Sequence, residues 1–460
     1  MYKINFKEPG HIHFMGIGGI SMSGFAELLH TMGFTISGSD NKKSEITTHL
    51  ETLGIPILYA QVSSNITPGI DLVVYTAAIH ADNPEFIAAK ERKIPMMDRA
   101  EMIGQIMKNY ESAIAVSGTH GKTTTTSMIS HIMLSADLDP TISVGGILKK
   151  INGNIRVGKS GNFITEACEY TNSFLKFHPT IGVILNVEAE HLDFFKDLKD
   201  IRNSFHTFAS LLPKEGLLII NGEIENYQEL TADLLCKTVT YGLSNKEFDF
   251  SASNITFNSF GCGSFDLYHK EERIDRIELR VIGNHNISNA LAAIGVAYAF
   301  SISLEQIKDG LSTFTGTNRR FEYKGEIGGV TIIDDYAHHP TEIRATLESA
   351  QNYPRNTMWC VFQPHTYSRT RAFLKDFAQA LSYADKIVLA DIYSAREEDP
   401  GDISSRDLER ELKNLGKEVY YFPSFDEIEN FLLENCTNGD LLITMGAGDV
   451  VSIGETLLGQ

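Results

Sequence analysis

Short apolar runs recur along this chain. Each is followed by glycines or polar residues, and then by a stretch with helical spacing. His11–Met15 leads into Gly16-Ile17-Gly18-Gly19-Ile20, and then into Ser21–Met32, where Met22, Phe25, Ala26, Leu28 and Leu29 recur at helical spacing. Gly33 closes that helix and Phe34–Ser37 reads as the next strand. Leu72–Tyr75 is another buried strand, Asn83-Pro84 starts a helix, and Arg99–Met107 is a further one. Ala113–Val116 then reads as a buried parallel strand, with a tight turn at Gly118–Gly121 and a helix opening at Lys122. Phe163–Glu166, Ile181–Leu185 and Leu217–Asn221 repeat the strand pattern, and Ile151–Asn154 reads as a hairpin turn. Across Asp249–Val281 apolar and polar residues alternate around Gly261-Cys262-Gly263, the signature of antiparallel hairpins. Gly283–Asn289 reads as a cap on the helix Ala290–Ala299. From Asn318 the alternation starts afresh, with strands at Val330–Asp334, Met358–Phe362, Lys386–Ala390 and Leu441–Thr444.

This pattern predicts an α/β fold of three consecutive domains. Residues 1–107 form a Rossmann-like domain, 108–317 a central P-loop-type domain with appended antiparallel hairpins, and 318–460 a second Rossmann-like domain. The length of 460 residues has room for about three domains. A net charge of −19 favours solubility and argues against a nucleic-acid surface. The five cysteines are scattered without C-x-x-C spacing, which offers neither a disulfide framework nor a zinc site and suits a reducing cytoplasm. There is no signal-peptide pattern, and no apolar run approaches the ~18 residues of a membrane span. A cytoplasmic location without membrane insertion is the expectation.

Candidate chemistry gathers at the C-terminal ends of the strands. In Gly118-Thr119-His120-Gly121-Lys122-Thr123-Thr124, a glycine turn joins a strand to a helix N-terminus, where N–H groups and the helix dipole favour an anion. Lys122 is placed to reach β- and γ-phosphates and the Thr123 hydroxyl to face Mg²⁺. The glycines at 16, 18 and 19, with Asp40 about 20 positions on, suit a pyrophosphate-linked nucleotide. An enzyme with both signatures spends ATP on a nucleotide-bearing substrate. Glu166 and His191 lie at the C-terminal ends of different strands, both pointing toward the phosphate loop, and are candidate ligands of a second Mg²⁺, with Glu169 a rival for Glu166. Arg319 and Arg320 are candidate clamps on the γ-phosphate, and His338, His339, His365, Arg369 and Arg371 form a candidate closing face. A nicotinamide-dependent oxidoreductase and a non-catalytic nucleotide switch are the competing classes. The first leaves the Gly118–Thr124 and Gly283–Asn289 stretches unexplained, and the second leaves the paired metal ligands without a use.

The stretches Gly118–Thr126, Met15–Leu29, Gly38–Asp40, Glu188–Phe195, Gly283–Ala293, Arg319–Glu322, Asp334–Ile343, Phe362–Thr370 and Thr444–Val450 together resemble the Mur ligase family, in order and over nearly the whole chain. The resemblance implies a cell-wall ligase of peptidoglycan precursor synthesis. Such an enzyme joins L-alanine to the lactoyl carboxylate of UDP-N-acetylmuramic acid, uses ATP and Mg²⁺, and releases ADP and phosphate. It implies Lys122, Glu166, His191 and Arg320 as catalytic residues, and Thr123, Glu166 and His191 as metal ligands. It further implies His285 and Asn289 beside adenine, Asp335 at the ribose, and Arg320 on a phosphate. Gly16, Gly18, Gly19, Ser39, Asp40 and Thr76 are assigned to the UDP-substrate, and His338, His365 and Arg369 to the amino acid. An attached preformed peptide in place of L-alanine is the alternative within the family. Thr366 stands where many members carry arginine, and Ile201–Phe205 holds no lysine to match the carbamylated lysine of sister ligases.

Overall fold

The computed structural model describes residues 2–192, 194–244, 247–395 and 397–460; Asp193, within the family-like stretch Glu188–Phe195, lies outside them. The chain packs as two compact units. The first comprises Met1–Ser251 and Asn289–Gly310, the second Ala252–Ser288 and Leu311–Gln460.

Two sheets make up the first unit. The smaller has five parallel strands in the order Ile57–Leu58, Thr35–Ser39, His11–Met15, Leu72–Tyr75 and Met96–Asp98. The order reverses between His11–Met15 and Leu72–Tyr75, so the loops beginning at Gly16 and Thr76 leave from the switch point, where open α/β sheets bind ligands. The helices have plain local causes. Asn83 accepts from the Glu85 and Phe86 N–H groups with Pro84 at the first helical position, and Asp98 caps Arg99–Met107 by accepting from Glu101 N. The larger sheet runs Lys237–Gly242, Leu217–Asn221, Ile181–Ile184, Ser112–Ser117, Asn162–Glu166, Thr141–Leu148 and Gly153–Arg156, parallel except for the last hairpin. Its inner strands read as unbroken apolar runs because both faces are covered; Ile181–Ile184 is buried throughout.

In the second unit the antiparallel strands Cys262–His269 and Glu272–Ile282 form the appended hairpin. A separate six-stranded sheet runs Glu322–Ile327, Val330–Asp335, Leu441–Met445, Met358–Phe362, Lys386–Leu389 and Glu418–Tyr421. Only its first pair is antiparallel. Apolar clusters cover its two faces, one around Phe362, Phe377 and Leu381, the other around Trp359, Ile428 and Leu442.

One expectation is corrected. Gly283–Asn289 is no capping loop: only Gly283 (φ +86°) turns, and the helix already runs from Asn284 to Ala299. Asn286 Nδ2 donates to Ile282 O at 2.9 Å, so the polar residues that read as a loop tie the first helical turn to the strand before it.

Candidate active site

The strand Ser112–Ser117 lies between Asn162–Glu166 and Ile181–Ile184, and all three run parallel. Their C-terminal ends therefore bring Gly118, Glu166 and Leu185 to one edge. Gly118 (φ +144°) turns so close to the next strand that a Cβ would stand 2.9 Å from the Leu185 Cβ. Gly121, left-handed at φ +82°, is the N-cap of the helix Lys122–Ser135 and contributes no side-chain acceptor. The helix N-terminus thus faces the loop without a side-chain cap, which suits an anion. Asn186 fixes the loop by accepting from His120 N at 2.7 Å and donating to His120 O at 3.1 Å. Thr119 Oγ1 accepts from Glu188 N at 3.0 Å. A Cβ at Gly121 would lie 2.7 Å from Asn289 Oδ1, so Asn289 stands against the loop as well.

Lys122 Nζ donates to Gly118 O at 2.5 Å, to Thr119 O at 3.1 Å and to Glu169 Oε2 at 3.1 Å. Burial works most strongly against the ammonium, but Glu169, Cys168 and Glu166 together outweigh it and the lysine pKa is raised. His191 Nε2 stands 3.7 Å from Glu169 Oε1, and its ring packs on Tyr170 at 4.5 Å between centroids. Of the two rival carboxylates, Glu169 is therefore the one brought to both Lys122 and His191. Glu166 turns elsewhere: its Oε1 accepts from Gly145 N at 2.5 Å. Gly146, the next residue, runs 3.5 Å from Thr123 Cγ2 as measured from a built Cβ, so one backbone stretch passes both Glu166 and Thr123. Thr123, Glu166, Glu169 and His191 carry the hydroxyl, carboxylate and imidazole donors that suit Mg²⁺ on a polyphosphate, but Glu166 is held at Gly145 while Glu169 and His191 face each other.

In the smaller sheet, Gly18 N donates to Asp40 Oδ2 at 2.8 Å, and Gly16 and Ile17 donate to Ser39 O at 2.9 and 3.0 Å. Gly19 leads into the helix Ile20–Thr31 with no side-chain cap. Thr76 lies across from Gly16, whose built Cβ would be 3.6 Å from its Cγ2. The Ser39 side chain is buried and its hydroxyl donates to Glu85 at 2.6 Å, so Ser39 meets the loop through its carbonyl alone. A cavity of about 440 Å³ joins the two sheets of this unit; Gly19, Thr76, Arg99, Asn154, Glu166 and Cys168 are among its lining residues. Sequence spacing did not reveal Arg99 and Asn154, because each lies on an element assigned a purely structural role.

The second unit gathers two clusters. Asp335 is 4 % exposed and accepts from Phe321 N and Ala337 N, each at 2.8 Å. Burial pushes its carboxyl up to about 6, against the pull of Arg320. Arg320 Nη1 reaches Glu342 Oε1 at 3.5 Å, and His285 lies within the electrostatic reach of both. Its neighbour Arg319 is occupied differently: Nε donates to Asp334 at 2.9 Å and the two Nη atoms to the carbonyls of Gly448 and Gly446. The adjacent arginines thus divide, Arg319 tying strand ends together and Arg320 facing the polar cluster. In the other group, His338 and His365 have ring centroids 5.8 Å apart, and Arg369 Nη1 meets His365 Nδ1 at 3.0 Å. Thr366, at φ +68°, caps the helix Tyr367–Ala372 by accepting from Arg369 N at 3.4 Å.

Two helix starts without side-chain caps follow parallel strands, one opening on the cavity at Gly19 and the other at Gly121 beside the strand that ends in Glu166. This arrangement is suited to nucleotide phosphates, and the chain belongs to the Mur ligase family, a family of ligases. Three stretches match its models: residues 11–111 the family's catalytic domain, 116–297 the middle domain and 319–448 the glutamate ligase domain. The UDP-N-acetylmuramate–L-alanine ligase of Lachnoclostridium phytofermentans is 60 % identical over the full length of both chains. That of Agathobacter rectalis is 61 % identical, again over 100 % of each. Among solved structures, the UDP-N-acetylmuramate–alanine ligase of Thermotoga maritima matches at a TM-score of 0.81 and 29 % identity, covering 98 % of each chain. The murein peptide ligase of Psychrobacter arcticus shares the fold at a TM-score of 0.69 and 23 % identity. The three-domain α/β architecture read from the sequence is that of this family. No helix among the described residues is long and apolar enough to cross a membrane.

Proposed function

We propose that this enzyme is an ATP-dependent, ADP-forming ligase that joins L-alanine to the lactoyl carboxylate of UDP-N-acetylmuramic acid, in the cytoplasm, as a step of peptidoglycan precursor synthesis. The observation that carries the reading is the single cavity leading from Gly19 and Thr76 to Glu166, beside the loop that holds Lys122. A nucleotide sugar seated by its pyrophosphate on the helix Ile20–Thr31 has its acid end directed toward the phosphate loop. The proposed domain limits are 1–107, 108–317 and 318–460, which the spans of the three family models support.

A carboxylate is a poor electrophile toward an amine, so it is activated first, and the γ-phosphate of ATP is the available activator. The carboxylate oxygen attacks the γ-phosphorus, ADP leaves, and the resulting acyl phosphate is attacked by the neutral amine of alanine, which expels phosphate. Lys122, released from its loop carbonyls, neutralises β/γ oxygens, while the loop N–H groups and Arg320 hold the triphosphate. Thr123, Glu166 and His191, with Glu169 beside His191, would hold Mg²⁺, which would supply charge neutralisation on the phosphate oxygens. Asn289 and His285 serve the adenine side and Asp335 accepts from a ribose hydroxyl. Arg369 with His365 and His338 holds the alanine carboxylate. The test is ADP release against a panel of UDP-sugars and amino acids: only UDP-N-acetylmuramic acid with L-alanine should give full turnover. Dependence on a tripeptide instead would identify a murein peptide ligase activity and overturn the assignment.

A further inference from the structure

Asn154 belongs to the hairpin Gly153–Arg156, on the edge of the larger sheet, yet its side chain works on the smaller one: Nδ2 donates to Ile20 O at 3.1 Å, the first residue of the helix Ile20–Thr31. The hairpin is anchored on either side of it. Ile155 lies on Gly24 of the same helix, where an added Cβ would come within 3.2 Å of three Ile155 atoms. On the partner strand, Gly145 N is bound by Glu166. Asn154 lines the cavity together with Gly19, Gly145 and Glu166. With its NH₂ end committed to Ile20, the amide oxygen is the end left to serve the cavity, and an amide oxygen recognises a donor.

Resting on the ligase reading, we infer that Asn154 is a specificity-determining residue that accepts a hydrogen bond from the 2-acetamido N–H of the nucleotide sugar. The chemistry of that sugar supports the placement. Its pyrophosphate is on C1 and its lactoyl ether on C3, so the C2 substituent lies between the end that seats on the helix start and the end that goes to Glu166. Asn154 is tied to the first and sits on the hairpin that touches the second. A donor is recognised strongly where its absence leaves a site acceptor unpaired, and a polar contact of this kind discriminates better than shape does.

The test compares UDP-N-acetylmuramic acid with its analogue carrying a 2-hydroxyl in place of the acetamido group. Wild type, Asn154→Ala and Asn154→Asp are measured for kcat and for the KM of sugar, ATP and alanine. Asn154→Ala should raise the KM for the acetamido sugar about tenfold with the ATP KM unchanged, and should reduce the preference over the analogue by a similar factor. Asn154→Asp keeps an acceptor while losing the tie to Ile20, and should retain more of that preference than Asn154→Ala. If both variants lose kcat/KM equally for the two sugars, or lose nothing, Asn154 merely braces the hairpin and the inference falls. If wild type turns over neither sugar, the ligase reading fails instead.

Discussion

Replacing Lys122 with alanine separates what this lysine does for the fold from what it does for the reaction. Glu169 is 2 % exposed and holds the ammonium at 3.1 Å. Removing the cation leaves a buried carboxylate whose other basic neighbour, His191, stands 3.7 Å away. Stripping one partner from a buried ion pair costs ~3–5 kcal/mol. The Lys122 side chain keeps 17 % exposure, which points to the low end, about 3 kcal/mol. In a unit of this size that is a fall in Tm of about 5 °C. Adding Glu169→Gln removes the orphaned charge, so the double variant should melt within about 2 °C of wild type. Activity behaves differently. Loss of one positioned cation at a transferring phosphoryl group lowers turnover ~10³-fold, and Glu169→Gln has no means of restoring it. Calorimetry and a coupled ADP-release assay on the wild type, both single variants and the double variant complete the cycle. Recovery of turnover in the double variant would refute a phosphate role for Lys122, and a wild-type Tm in Lys122→Ala would refute the buried pair.

Three other outcomes follow from the second unit. Asp335 holds its proton to about pH 6 when folded, against an ordinary carboxyl value near 4, so stability falls as pH rises through that window and is level above it. Denaturant melts should show a slope of about 3 kcal/mol between pH 4 and 6 that Asp335→Asn abolishes, while the KM for ATP in the wild type falls over the same range as the carboxylate forms. Arg369→Ala should raise the KM for alanine by at least about tenfold and leave those for ATP and UDP-sugar nearly unchanged; a rise in the ATP value alone would make Arg369 a phosphate ligand. Arg319→Ala should lower thermal stability by about 3 kcal/mol, because Asp334 is fully buried, whereas Arg320→Ala should act on ATP turnover with a smaller change in melting.

Much of this fold was legible because parallel strands covered on both faces are written as apolar runs. Leu72–Tyr75, Leu217–Asn221 and Met358–Phe362 have the limits that their sequence suggests. The short strand Ile57–Leu58 and the edge strands Glu322–Ile327 and Glu418–Tyr421 went unread, since an edge or a two-residue strand needs little apolar sequence. The site divides likewise. That Glu166 ends a strand beside Gly118, and that His191 follows the end of the strand on its other side, is legible from chain pattern and sheet order. Which carboxylate turns to Lys122 depends on the path of Ala167-Cys168-Glu169 after the strand has ended, and there local periodicity is silent. Arg319 and Arg320 are indistinguishable as a sequence pair; only the arrival of the Gly446–Gly448 carbonyls, more than a hundred residues later, commits the first of them to structure.

The first unit is not continuous in the chain. It stops at Ser251 and is resumed at Asn289–Gly310, and the returning piece is closely fitted: Asn289 stands against Gly121, and an added Cβ on Gly310 would meet Ile132 Cα at 2.5 Å. A ribosome releasing this chain therefore exposes the phosphate-loop helix before its last neighbours exist. At ~5–20 residues per second the wait from Ser135 to Gly310 lasts about 9 to 35 s. During that interval Ile132 lacks the neighbour that Gly310 later supplies. The discontinuity also means that a fragment ending at residue 251, although it holds both sheets of the unit, carries an open seam along the helix Lys122–Ser135 and is a poor vehicle for studying nucleotide binding in isolation.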